Sequence, residues 1–117
     1  MEKHEFEEVW EMLKQLDDRP PFTTLSEAHG RLNQIVGSTS THLIRQTERQ
    51  DGTGWKDAKP VPRAAFENLW NRLLKDKVVQ LSDVKGYKYV VAACLASVPD
   101  LGVEKVKDRP LTIKLRN

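Results

Sequence analysis

Between Arg45 and Arg63 the chain reads RQTERQDGTGWKDAKPVPR. Arg45 and Arg49 lead into this stretch, and Lys56, Lys59 and Arg63 leave it. Arginine and lysine neutralise phosphates, and an indole such as Trp55 stacks on a base or enters a groove. These five cations and Trp55 are therefore candidate nucleic-acid contacts. Lys105, Lys107 and Arg109 form a second basic group near the end of the chain. Glu48, Asp51 and Asp57 dilute the charge of the first group. The competing reading folds Trp55 onto the core and leaves the charges solvated.

Other chemistries fit the same residues less well. GTGWK lacks the Gly-x4-Gly-Lys-Ser/Thr spacing of a phosphate loop, and no apolar strand feeds it. Asp51-Gly52 is instead a tight-turn pair. Asp57–Lys59 and Asp83–Lys85 each match the Asp-x-Lys half of a restriction-type metal site, with Glu48 or Asp51 as the second carboxylate. A small metal-dependent nuclease is the reading this supports, but both triads fall in expected turns. His4, His29 and His42 are dispersed, without ligand spacing. Cys94, the one cysteine, sits inside an apolar helix and reads as a small core residue. The expectation is no catalytic residue, no metal site and no cofactor.

The elements around these residues follow from periodicity. Phe6, Val9, Trp10, Leu13 and Leu16 make one apolar helical stripe, with acidic residues crowding its first turns and DDRPP ending it. Phe66, Leu69, Trp70, Leu73 and Leu74 repeat the spacing after Pro62, which suits a first helical position. FEEVWEML and FENLWNRL echo each other, and convergence of two core-packing helices explains this better than duplication. PFTTLS, NQIVG and THLIRQT read as strands, the last two joined at STS. Ser26 to Gly30 is ambiguous between helix and loop. RQDGTGWKDA reads as a loop, and KPVP as an edge strand at most. KVVQLS is a short strand, DVKG a turn, and YKYVVAACLASVP a helix buried on nearly every side. GVEKV, KDRP and LTIKLR complete a hairpin.

These elements make one α+β domain over residues 1–117, with sub-units 1–61 and 62–117. It has an N-terminal amphipathic helix, a small antiparallel β-meander and a winged-helix-like C-terminal half. Its wing is Lys107–Asp108–Arg109. A groove-reading helix needs polar side chains along its face, and YVVAACLASV has almost none.

NQIVGSTSTHLIRQTER, KPVPRAAFENLWNRLL, VVQLSDV, YKYVVAACLASVPDL and RPLTIKLR together resemble a small accessory domain of bacterial restriction and helicase-type defence proteins. The resemblance covers most of Gly30 to Arg116 and rests mainly on structural motifs. It implies a partner role on DNA beside a nuclease or helicase, and it carries no catalytic residues.

Composition bounds the rest. Charged residues are 31% and the apolar set 38% of 117 residues, an ordinary globular balance. Residues 1–21 carry a net −4, 22–63 a net +2 and 64–117 a net +4. Such polarity can turn one face to a polyanion. The longest apolar run, Tyr89 to Ala96, is too short to span a bilayer. The first ten residues lack the pattern of a signal peptide. The expected setting is the cytoplasm and the expected partner DNA or RNA. A protein partner docked through the first helix is the alternative, as in an interaction adapter.

Overall fold

The computed structural model describes residues 5–23, 31–108 and 110–116. The first apolar stripe forms helix α1, Phe6–Lys14, with Glu7 and Glu8 in the first turn and Lys14 in the last. That placement of charge suits the helix dipole. A 3-10 turn, Gln15–Asp18, carries the stripe on to Leu16 before the prolines stop it. Val9, Trp10, Leu13 and Leu16 are all buried. The stripe is thus spent on the chain's own core, which corrects the expectation that it docks a partner.

Four short strands follow: β1 (Phe22–Thr23), β2 (Leu32–Ser38), β3 (His42–Thr47) and β4 (Lys59–Pro62). They form an antiparallel meander in sequence order. The proline-bearing β4 takes an edge, where its missing N–H groups cost no ladder bond. Thr39 closes the β2–β3 turn, its hydroxyl accepting the Thr41 and His42 N–H groups at 3.2 and 3.0 Å. Ile35, Leu43 and Val61 point to the core. The ambiguous segment at Ser26–Gly30 lies outside the described residues, as do His4 and His29.

Helix α2, Arg63–Asp76, starts one residue later than expected, with Pro62 as its extended N-cap. Phe66, Leu69, Trp70 and Leu73 are buried, and the Phe66 ring meets Trp10 edge-on at 5.7 Å. Then come β5 (Val78–Gln80), a 3-10 turn (Leu81–Asp83), helix α3 (Lys88–Ala96), β6 (Val103–Asp108) and β7 (Leu111–Leu115). The last three strands make a second antiparallel sheet in the order β5-β7-β6. α3 buries Val90 to Leu95 without a break, as its composition requires. One hydrophobic cluster runs from Val9 through Leu43, Phe66 and Leu95 to Ile113. Among the described residues the fold is therefore mixed α+β, with an N-terminal helix and two antiparallel sheets. Among the described residues no helix is long and apolar enough to cross a membrane.

Candidate nucleic-acid interface

The first basic stretch is held by β3 and β4, which pair from His42↔Pro62 to Arg45↔Lys59. The pairing does not end with the strands. Lys56 N–H donates to the Thr47 carbonyl at 2.9 Å, and Arg49 N–H to the Gly54 carbonyl at 2.8 Å. Glu48 and Trp55 face each other across an antiparallel bridge. The expected loop is in fact a tight hairpin continuing the first one. The Asp51-Gly52 pair marks its turn in the sequence, but the extent of the pairing does not show there, because its bonds are backbone bonds, which need no apolar alternation.

The tip is fixed by its turn chemistry. Gly52 N–H donates to the Arg49 carbonyl at 3.0 Å, and Gly52 has φ 74°, a left-handed conformation that glycine adopts without strain. The Asp51 carboxylate accepts the Thr53 hydroxyl at 2.6 Å and the Thr53 N–H at 3.0 Å. These two bonds, the hydroxyl first, hold the Asp51 carboxyl below its ordinary value of 3.8. Asp51 is therefore occupied as a turn builder.

The structure separates the five cations of the stretch. Arg49, Lys56 and Lys59 are exposed on this hairpin, and Trp55 is half-buried. None of the three makes an ion pair among the described residues. Arg45 and Arg63 are engaged internally. Arg45 donates to the Thr47 hydroxyl at 3.0 Å and to Asn33 Oδ1 at 3.4 Å. Thr47 also donates to Asn33 Oδ1, at 2.8 Å, and Asn33 is fully buried. Arg45 thus braces the inner face of the meander. Arg63 lies 5.2 Å from the Phe6 ring centroid and 5.5 Å from that of Trp10, and its guanidinium pairs with Glu7. It clamps α1 to the start of α2.

The second basic group also divides. Lys105 and Lys107 lie on β6 itself, since the strand extends to Asp108. Lys105 bonds Asp108 at 2.6 Å, while Lys107 is exposed. Arg109 lies outside the described residues.

No protein family, no curated protein and no solved structure matches this chain. The site must be read from its own geometry.

Among the described residues no three of His, Cys, Asp and Glu converge as a metal would require. Cys94 is fully buried, and burial pushes its thiol far above the ordinary range, opposed only in part by the charge of Arg45. It is a packed thiol, not an activated one.

One exposed cluster escaped the sequence reading. Tyr87 and Tyr89 are 48% and 42% exposed, where the turn DVKG meets the start of the apolar helix YKYVVAACLASVP. The alternation of cation and aromatic was the available signal. The apolar run that follows obscured it.

Proposed function

We propose that this chain is a non-catalytic nucleic-acid-binding module whose contacts with the DNA backbone lie on the β3–β4 hairpin. One observation carries the reading: Arg49, Lys56 and Lys59 stand exposed along the same hydrogen-bonded hairpin as Trp55, without ion pairs among the described residues. Cations left solvated on a fixed tip are available to phosphates. The second half is winged-helix-like in the order α2, β5, α3, β6, β7, and the sheet order β5-β7-β6 is in keeping with that. Its α3 is buried, so contact falls to strands and turns, with Lys107 on β6 as the wing cation. The resemblance to an accessory domain of restriction and helicase-type proteins suggests the setting, a cytoplasmic bacterial defence or DNA-processing assembly.

The test is a DNA titration at two salt concentrations. Three phosphate contacts on duplex DNA give a slope of log affinity against log salt of about −3. The variant Arg49→Glu/Lys56→Glu/Lys59→Glu should lose most of that slope while melting as the wild type does. Arg63 is kept out of the variant because it holds α1 in place. A wild-type chain that stays unbound at low salt would overturn the proposal.

A protein-interaction adapter is the second reading. Val78 and Val106, 52% and 49% exposed, line one cleft on the three-stranded sheet together with Lys107. That reading is favoured if Val78→Asp abolishes partner capture while DNA binding is absent.

A further inference from the structure

We infer that the turn leading into α3, with the cleft beside it on α2, binds single-stranded nucleic acid; this rests on the nucleic-acid reading above and names the strand form. The surface starts at Gly86 and Tyr87, which take consecutive left-handed conformations with φ 66° and 52°. Glycine does so freely. A tyrosine does so under strain, and such strain persists where the surroundings impose it, most often at functional sites. Full burial does not hold Tyr87 there, because 48% of the residue is exposed. Tyr87 and Tyr89 are both presented to solvent at the head of an otherwise buried helix.

Cations accompany the rings. Lys88 Nζ lies 5.5 Å from the Tyr89 ring centroid. Lys85 precedes the turn and lines a cleft of about 490 Å³ against α2. Its floor is apolar, made by Ala65, Leu69 and Val84. Arg72, Lys75 and Lys85 stand around it against one acid, Asp83, among the described lining residues. Arg72 is partly spent, since it bonds the Asp83 carbonyl at 3.3 Å and reaches Asp76 at 3.6 Å. That bond to the Asp83 carbonyl ties the 3-10 turn Leu81–Asp83 to α2 at the cleft. Asn68 and Asn71 add amide donors and acceptors at the same place.

Aromatic rings beside cations and an apolar recess suit splayed bases strung on phosphates. A duplex keeps its base faces stacked on one another, so these rings gain nothing from it. A protein partner is a poorer fit. Protein interfaces favour tyrosine but are depleted in lysine, and Lys75, Lys85 and Lys88 crowd this one. The hairpin tip supplies charge for either strand form; the tyrosine turn supplies preference for the single strand.

The experiment compares an oligo-dT strand of roughly ten nucleotides with a blunt duplex, by fluorescence anisotropy at low salt. The variant Tyr87→Asn/Tyr89→Ala removes both rings, and asparagine tolerates the left-handed backbone. It should bind the single strand about tenfold more weakly, bind the duplex unchanged, and melt no lower than the wild type. Tyr89→Ala alone, a substitution any helix accepts, should show part of the same loss. If single-strand affinity survives loss of both rings, or if both strand forms weaken equally, the inference is wrong while hairpin binding stands. If partner protein is captured through these tyrosines while single-strand affinity is unchanged, the surface belongs to a protein. If the wild type binds neither strand form, the functional reading fails and takes this one with it.

Discussion

Arg63 shows why a cation's sequence neighbours do not reveal its task. In the sequence it completes a basic stretch; in the fold it reaches Glu7, 56 positions away, and covers the Phe6 and Trp10 rings. Glu7 is 80% exposed, so the ion pair itself contributes little. The stacking on two rings contributes more, and Arg63→Ala should cost about 1 kcal/mol. Arg63→Lys keeps the charge but loses the planar stack, so it should recover little of that. Urea midpoints of the two variants check this, and a lysine variant as stable as the wild type would show that charge alone matters. DNA affinity per folded molecule should not change in either. Arg45 is a similar case, because its acceptors on Asn33 and Thr47 come together only through the β2–β3 register. Tyr87 is the reverse. Its cation–aromatic run was visible in the sequence, but its exposure goes with a backbone conformation that no propensity foretells.

At the scale of elements, the one-sided patterns were the readable ones. The two stripes announce helices because apolar residues fall on one face, four in α1 with Leu16 just beyond it and five in α2. The stripe of α1 says that this face is buried, yet not that α2 covers it. The prolines of β4 announce an edge because they lack donors. The strand-like pairing of the 47–56 hairpin was less readable by this route, although Asp51-Gly52 marked its turn, since its residues are polar and its order comes from backbone bonds, the Asp51–Thr53 bonds and two glycines at positive φ. That makes Gly52 a weak point. A Cβ at Gly52 meets nothing within 4 Å, so Gly52→Ala is opposed by the backbone conformation alone. It should cost about 1 kcal/mol, confined to the hairpin. Amide exchange at Arg49 and Lys56 should speed up while the exchange of α2 is unchanged. The same hairpin should loosen in acid. The Asp51 carboxyl titrates lower in the fold than in the open chain, so its stabilisation is complete above its ordinary value of 3.8. It fades as pH falls below that value, through the folded one. Faster exchange across the whole chain in Gly52→Ala would mean the hairpin is part of the core unit.

For the whole molecule, the question is whether its two sheets are two units. Residues 1–61 hold the meander and 62–117 the second sheet, but the hydrophobic cluster does not respect that boundary. Trp10, Leu43 and Val61 from the first part lie in one cluster with Phe66, Leu73 and Ile113 from the second. The Cα radius of gyration is 13.5 Å, close to the roughly 13 Å expected of one packed body of this length. Deleting a single large core side chain costs about 2–5 kcal/mol. A fragment 62–117 would lose at least three core neighbours at once, against a total stability of about 5–15 kcal/mol for a typical domain. The fragment should therefore show no cooperative melting, and the full chain should melt in one transition. Cys94 provides an independent probe, because its thiol is buried and held protonated in the fold. Alkylation by iodoacetamide should follow global unfolding and coincide with the fluorescence change of the buried Trp10 and Trp70. Labelling that precedes the fluorescence transition would place α3 in a separately unfolding part, and the two sheets would then be distinct units after all.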